Sequence, residues 1–170
     1  MGTYETKFTI PDLAPDKPAV KTSSVVWSNQ RQPLSDVLAS AENKKKLIES
    51  DPLVQEGQKL VPSITHVFRK DQNLYVYLEV YDPGVDAGQK PSVAATLSFY
   101  RGKTKSFESQ PVRLDEFAAK RGQTLPLKFQ APLAQLAAGR YTCQIDIVDE
   151  TGRKFTFART EIVILPNAKA

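Results

Sequence analysis

The chain has 170 residues, 41% of them hydrophobic and 25% charged, with a formal net charge of +4. Those values are ordinary for a globular domain large enough to bury its own core, and they exclude wholesale disorder. One cysteine, Cys143, excludes an internal disulfide and a thiolate zinc cluster, and the single histidine, His66, leaves any metal site dependent on carboxylates.

The positive balance is dispersed. Lys44, Lys45 and Lys46 form one run, with looser groups at Arg101, Lys103 and Lys105 and at Arg153 and Lys154. Basic residues are not interleaved with a face of aromatics, so no nucleic-acid partner is expected. No apolar run approaches the roughly 20 residues that span a bilayer, so no membrane insertion is expected. Met1–Glu5 lacks a basic n-region and an apolar h-region, so no signal peptide is read there. A Met1-Gly2 lead is also what a trimmed fragment carries, and the compartment stays open on this ground.

In chain order, a first strand is predicted at residues 7–10, followed by a Pro- and Asp-containing linker at 12–18. Residues 1–20 are thus set apart from a domain over 21–165, with 166–170 a tail. A strand is predicted at 22–28. Across 33–62, Leu34, Val37, Leu38, Ala41 and Ile48 have rough helical spacing with Ser35 as a cap, which reads as a short helix or an ordered loop. A strand at 63–68 contains His66. Next, Leu74, Val76, Leu78 and Val80 alternate with Tyr75, Tyr77, Glu79 and Tyr81, up to the turn Asp82-Pro83-Gly84.

In the strand at 92–100, Val93, Ala95, Leu97 and Phe99 share one face, and Arg101-Gly102-Lys103 turns it into a partner at 105–113. A short helix is read at 115–120, and Leu125, Leu127 and Phe129 mark a short strand. Tyr141, Cys143, Ile145 and Ile147 alternate along another strand. Asp149-Glu150-Thr151-Gly152 then reads as a hairpin, with a positive φ expected at Gly152. In the last strand Phe155 and Phe157 have one parity and Ile162 and Ile164 the other, so a bulge is expected across 158–161 to put all four in the core. Seven to nine short strands at this spacing indicate an all-β, immunoglobulin-like sandwich with one long, partly helical connection.

The stretch Leu136-Ala-Ala-Gly139-Arg-Tyr141-Thr-Cys143 carries the architecture. Gly139 breaks the preceding segment and Tyr141 opens a strand two residues before a cysteine. That is the pattern of a tyrosine corner, in which a buried ring sends its hydroxyl back to upstream backbone. Cys143, without a partner, then acts as a small buried hydrophobe.

The segment Leu60-Val-Pro-Ser-Ile-Thr-His-Val-Phe-Arg-Lys-Asp-Gln-Asn-Leu-Tyr-Val-Tyr-Leu-Glu-Val-Tyr-Asp-Pro83, followed by Ala138-Gly-Arg-Tyr-Thr-Cys-Gln-Ile-Asp-Ile-Val-Asp149, resembles the C-terminal region of secreted bacterial proteins that carry a von Willebrand factor A-related domain, of the acidobacterial type. The similarity covers roughly residues 20–165. It implies an extracytoplasmic, non-enzymatic, sandwich-like module. The A domain's metal signature, Asp-x-Ser-x-Ser, occurs nowhere in the chain, and no functional residue is carried over.

No nucleophile-elbow, zincin or phosphate-loop pattern occurs, His66 has no acid or nucleophile beside it, and no enzyme activity or cofactor is expected. Asp82, Asp86, Asp149 and Glu150 lie in predicted turns, where oxygen ligands suit calcium; they lack a regular ligand spacing, and turn chemistry alone accounts for them. Tyr75, Tyr77 and Tyr81 lie on the face of their strand away from the core and form the candidate binding residues. Two readings follow. The first is a structural or protein-interaction module, its partner being another protein or a neighbouring domain of the same polypeptide. The alternative is a carbohydrate-binding module stacking a glycan on the tyrosines. An exposed stripe favours the glycan; a stripe covered by residues 33–62 favours the first.

Overall fold

Period-two patterns rich in β-branched and aromatic residues can bury one face only by packing sheet on sheet. The computed structural model describes residues 19–35, 51–117 and 123–167, and the patterns are resolved there in that way. The predicted strand at 7–10, the linker and the helical spacing at 36–50 lie outside the described residues.

Three strand positions form the first sheet. At its centre is β7 (Asn73–Tyr81), paired along its whole length with β11 (Thr124–Pro132). Its other edge is shared by β1 (Lys21–Thr22) and β2 (Val26–Ser28). The expected strand at 22–28 is therefore interrupted, and that at 125–129 is longer than read. The second sheet runs from an edge shared by β9 (Thr104–Glu108) and β10 (Val112–Leu114) through β8 (Val93–Arg101), β12 (Gly139–Asp149) and β13 (Lys154–Leu165) to β6 (Val67–Arg69). All of these neighbours are antiparallel except β6, which runs parallel to β13. The expected single strand at 105–113 is again two pieces. Residues 115–117 are not helical, and the rest of the short helix read there lies outside the described residues.

One apolar layer fills the space between the sheets. Leu74, Val76, Leu78 and Val80 of β7 and Leu125, Leu127 and Phe129 of β11 meet Val93, Leu97 and Phe99 of β8, Tyr141, Cys143, Ile145 and Ile147 of β12, and Ile162 and Ile164 of β13. The all-β sandwich is thus the fold, with both central strands facing inward by the parity their sequences carry.

A third, small sheet stands beside the sandwich: β3 (Gln30–Pro33), β5 (Gln58–Val61) and β4 (Val54–Gln55). Its strands β4 and β5 come from the segment read as a helix or ordered loop. Residues 53–61 lack clean alternation because little of this sheet is buried. Pairing with β3 and tethering to β2 create it: the Ser28 hydroxyl meets the Val61 carbonyl, and the Ser63 amide donates to the Trp27 carbonyl at 2.7 Å.

Two further expectations are corrected. No bulge interrupts β13; its register with β12 is continuous from Lys154 opposite Asp149 to Ile164 opposite Gly139. Phe155 and Phe157 consequently face outward. At the β12–β13 turn the positive φ, +52°, belongs to Arg153, not Gly152. Gly152 is required by proximity: a β-carbon there would lie 2.2 Å from Asp149 Oδ2, and one on Gly84 would lie 2.3 Å from the Gly152 nitrogen.

Candidate interaction surfaces

On the outer face of β7, Tyr75, Tyr77, Glu79 and Tyr81 stand in one row, flanked on β11 by Gln130 and Lys128, opposite Tyr75 and Tyr77. The parity reading of these tyrosines holds, but the row is not an open platform. Tyr77 is only 5% exposed. Its hydroxyl donates to Glu79 Oε1 at 2.7 Å, and that of Tyr81 donates to Glu79 Oε2 at 3.1 Å. The Arg31 guanidinium of β3 lies 4.0 Å from the Tyr75 ring centroid, a stacked cation–π contact. Gln58 and Leu60 of the small sheet and Leu53 just before β4 line a cleft of about 50 Å³ together with Tyr75, Tyr77 and Phe129. The small sheet therefore lies over this face, with a cleft between the two.

The tyrosine corner is complete. Tyr141 is buried and its hydroxyl donates to the Ala137 carbonyl at 2.8 Å. A short 3-10 turn, Leu133–Gln135, brings that carbonyl into reach. Gly139 has a φ of +147°, which an L side chain adopts only with strain, and a β-carbon there would lie 2.4 Å from the Arg101 guanidinium. That guanidinium donates to the Ala138 carbonyl at 2.8 Å and sits 5.7 Å from the Tyr141 ring centroid. Cys143 is fully buried, and desolvation pushes its thiol far above the ordinary range. It therefore stays protonated near neutral pH, the opposite of what a nucleophilic thiol needs.

The carboxylates considered for calcium are held apart, each by its own partners. Asp149 is buried, and its two oxygens accept from the Gly84 and Gly152 amides, both at 2.8 Å. Asp86 Oδ1 accepts from the Gly88 and Lys90 amides, each at 2.9 Å. Asp82 pairs with Lys21. Glu150 accepts from the Ser92 hydroxyl and pairs with Arg113, and these bonds hold its carboxyl below the usual range. Among the described residues no group of three or more His, Cys, Asp or Glu side chains comes together. His66 precedes β6 rather than lying within a strand, at a φ of +53°, and its Nδ1 lies 3.3 Å from the Thr160 hydroxyl.

A different surface is open. On the outer face of the second sheet Val148 stands opposite Phe155 on one side and Ala94 on the other, with Phe157 two residues along β13. Val148, Phe155 and Phe157 are 45%, 67% and 52% exposed. Charges rim this patch: the Arg159 guanidinium lies 4.9 Å from the Phe157 ring centroid, and Arg113 pairs with Glu150. The sequence signal for this surface is the unbroken parity of β13. Residues 158–161 contain no Gly or Pro, and without a bulge the two phenylalanines must point away from Ile162 and Ile164.

No protein-family model matches the sequence, and no curated protein matches it. Among solved structures, the chain is similar to a superoxide reductase (neelaredoxin) from Ignicoccus hospitalis, at 15% identity and a TM-score of 0.36, over 61% of this chain and 77% of that one. It is also similar to a β-glucosidase from Listeria innocua in complex with glucose, at 10% identity and a TM-score of 0.39, over 73% of this chain and 20% of that one. Among the described residues no helix is long and apolar enough to cross a membrane.

Proposed function

We propose that this chain is a non-catalytic, extracytoplasmic structural and protein-interaction module, accessory to a von Willebrand factor A-related domain. The observation that carries the interaction reading is the apolar row Ala94–Val148–Phe155 with Phe157, rimmed by Arg159 and the Arg113–Glu150 pair. Outward phenylalanines with a charged rim are the anatomy of a protein contact. The accessory role and the extracytoplasmic setting rest on the sequence resemblance. Burial of Tyr77 and the engagement of Tyr75 by Arg31 leave no flat aromatic platform, which favours a protein partner over a glycan.

The test is calorimetric titration of the chain with a von Willebrand factor A-related domain, and with a panel of oligosaccharides. Binding of the domain, weakened about tenfold or more by Val148→Ser combined with Phe155→Ser, is the expected result. Glycan binding abolished by Tyr75→Ala, with no binding of the domain, would replace this reading by the carbohydrate one.

A further inference from the structure

We propose that the chain forms a two-fold symmetric dimer by pairing β13 with β13 of a second copy. This deepens the interaction reading above, because Phe155 and Phe157 belong to both, but it concerns the strand's edge rather than the sheet's face. β13 has β12 along one side over its whole length, while on the other side β6 pairs only with Val163–Leu165. From Lys154 to Ile162 that second edge has no strand beside it among the described residues.

The orientation of the free backbone groups follows from the short stretch that is paired. The Val163 amide donates to the His66 carbonyl at 3.0 Å, and the Leu165 carbonyl accepts from the Lys70 amide at 3.1 Å. Odd-numbered residues therefore direct their N–H and C=O groups toward the open edge. By the strand's period of two, Phe155, Phe157, Arg159 and Glu161 do so as well. An exposed row of this kind is a template for another strand.

The side chains of the same residues choose the occupant. In an antiparallel pair about a two-fold axis, residues opposite each other lie on the same face. A register centred on Phe157 places Phe157 against its own copy and Phe155 against Arg159 of the partner, and it brings Arg153, in the turn just before the strand, next to Glu161 of the partner. On the exposed face Arg159 then meets an aromatic ring and Glu161 comes beside a guanidinium; Lys154, on the other face, lies opposite Thr160. Centring on Ala158 sets Glu161 against Phe155, and centring on Arg159 sets two guanidinium groups together. Centring on residue 160 requires Val163, which β6 occupies. Arg153, Phe155, Phe157, Arg159 and Glu161 are all exposed in the single chain. The edge is thus complementary to itself in charge as well as in backbone, and a strand without this pattern meets unmatched charges.

The experiment is sedimentation velocity from about 5 µM to about 500 µM, a range that brackets the affinity of a contact of this size. The wild-type chain and the exposed-residue variants Glu161→Arg, Arg153→Glu and the two combined are compared, with thermal unfolding to show that all fold. A concentration-dependent dimer is expected, with its Kd raised about tenfold or more by either single reversal and restored in the double variant. A monomer throughout, a dimer indifferent to the single reversals, or a double variant that does not recover would each overturn the proposal. Val148→Ser lies on β12, away from the edge. It should weaken binding of the A-type domain and leave the dimer intact, so loss of one property without the other separates this proposal from the functional reading.

Discussion

At the scale of single residues, function-like chemistry is replaced by structural bonding. Tyr141 is the clearest instance: its ring fills the core and its hydroxyl closes the turn at Ala137. Tyr141→Phe keeps the ring and removes the bond, leaving the Ala137 carbonyl to water or to nothing. A loss of about 1 kcal/mol in urea unfolding is expected. Cys143 gives a prediction with a sign. Burial raises its pKa in the folded chain, while the unfolded thiol titrates near its ordinary 9.0. Below that value both states hold the proton and the group is silent. As pH rises through it, only the unfolded state releases its proton, so stability falls. Cys143→Ala should remove this alkaline part of the pH dependence, measured by denaturation at a series of pH values. Native Cys143 should also resist a thiol reagent until urea unfolds the chain.

At the scale of an element, β13 divides into two halves with different duties. Ile162 and Ile164 are buried against the core, whereas Phe155 and Phe157 are exposed on the opposite face. Ile164→Ala should cost about 2–5 kcal/mol through lost burial and the cavity left behind. Phe155→Ser should change stability by no more than about 0.5 kcal/mol, because its ring has little to leave. Unfolding of both variants at a dilution where the chain is monomeric checks this. A large loss for Phe155→Ser would show the strand to be bulged after all, with that ring in the core. The β12–β13 turn shows a second element-level device. Asp149 is a buried carboxylate fixed by two amides, and Gly84 and Gly152 let two loops approach within a distance no β-carbon tolerates.

At the scale of the whole molecule, the small sheet β3–β5–β4 lies over the tyrosine row and makes it part of the packing. Tyr77, covered and bonded to Glu79, should cost about 3 kcal/mol when changed to Ala. Tyr75 is less buried and is held by Arg31, so Tyr75→Ala should cost about 1 kcal/mol. Chemical denaturation ranks the two; equal and negligible losses would return the row to the role of a free surface. The sequence by itself determined the sandwich, the inward parity of β7, β8 and β12, the outward tyrosines, the corner at Tyr141 and the burial of Cys143. Each of these is written locally, in a period of two or in a turn residue a few positions away. Only the tertiary structure decided what covers the tyrosines, where β13 turns its phenylalanines and which edge has no strand beside it among the described residues. The small sheet joins strands far apart in the chain and buries too little to show alternation. Parity in β13 depends on its register with β12, and apolar residues on both faces of one strand look the same in sequence whether the second face is buried or bare. An open edge is a property of the neighbours a strand lacks, and no residue within the strand records it.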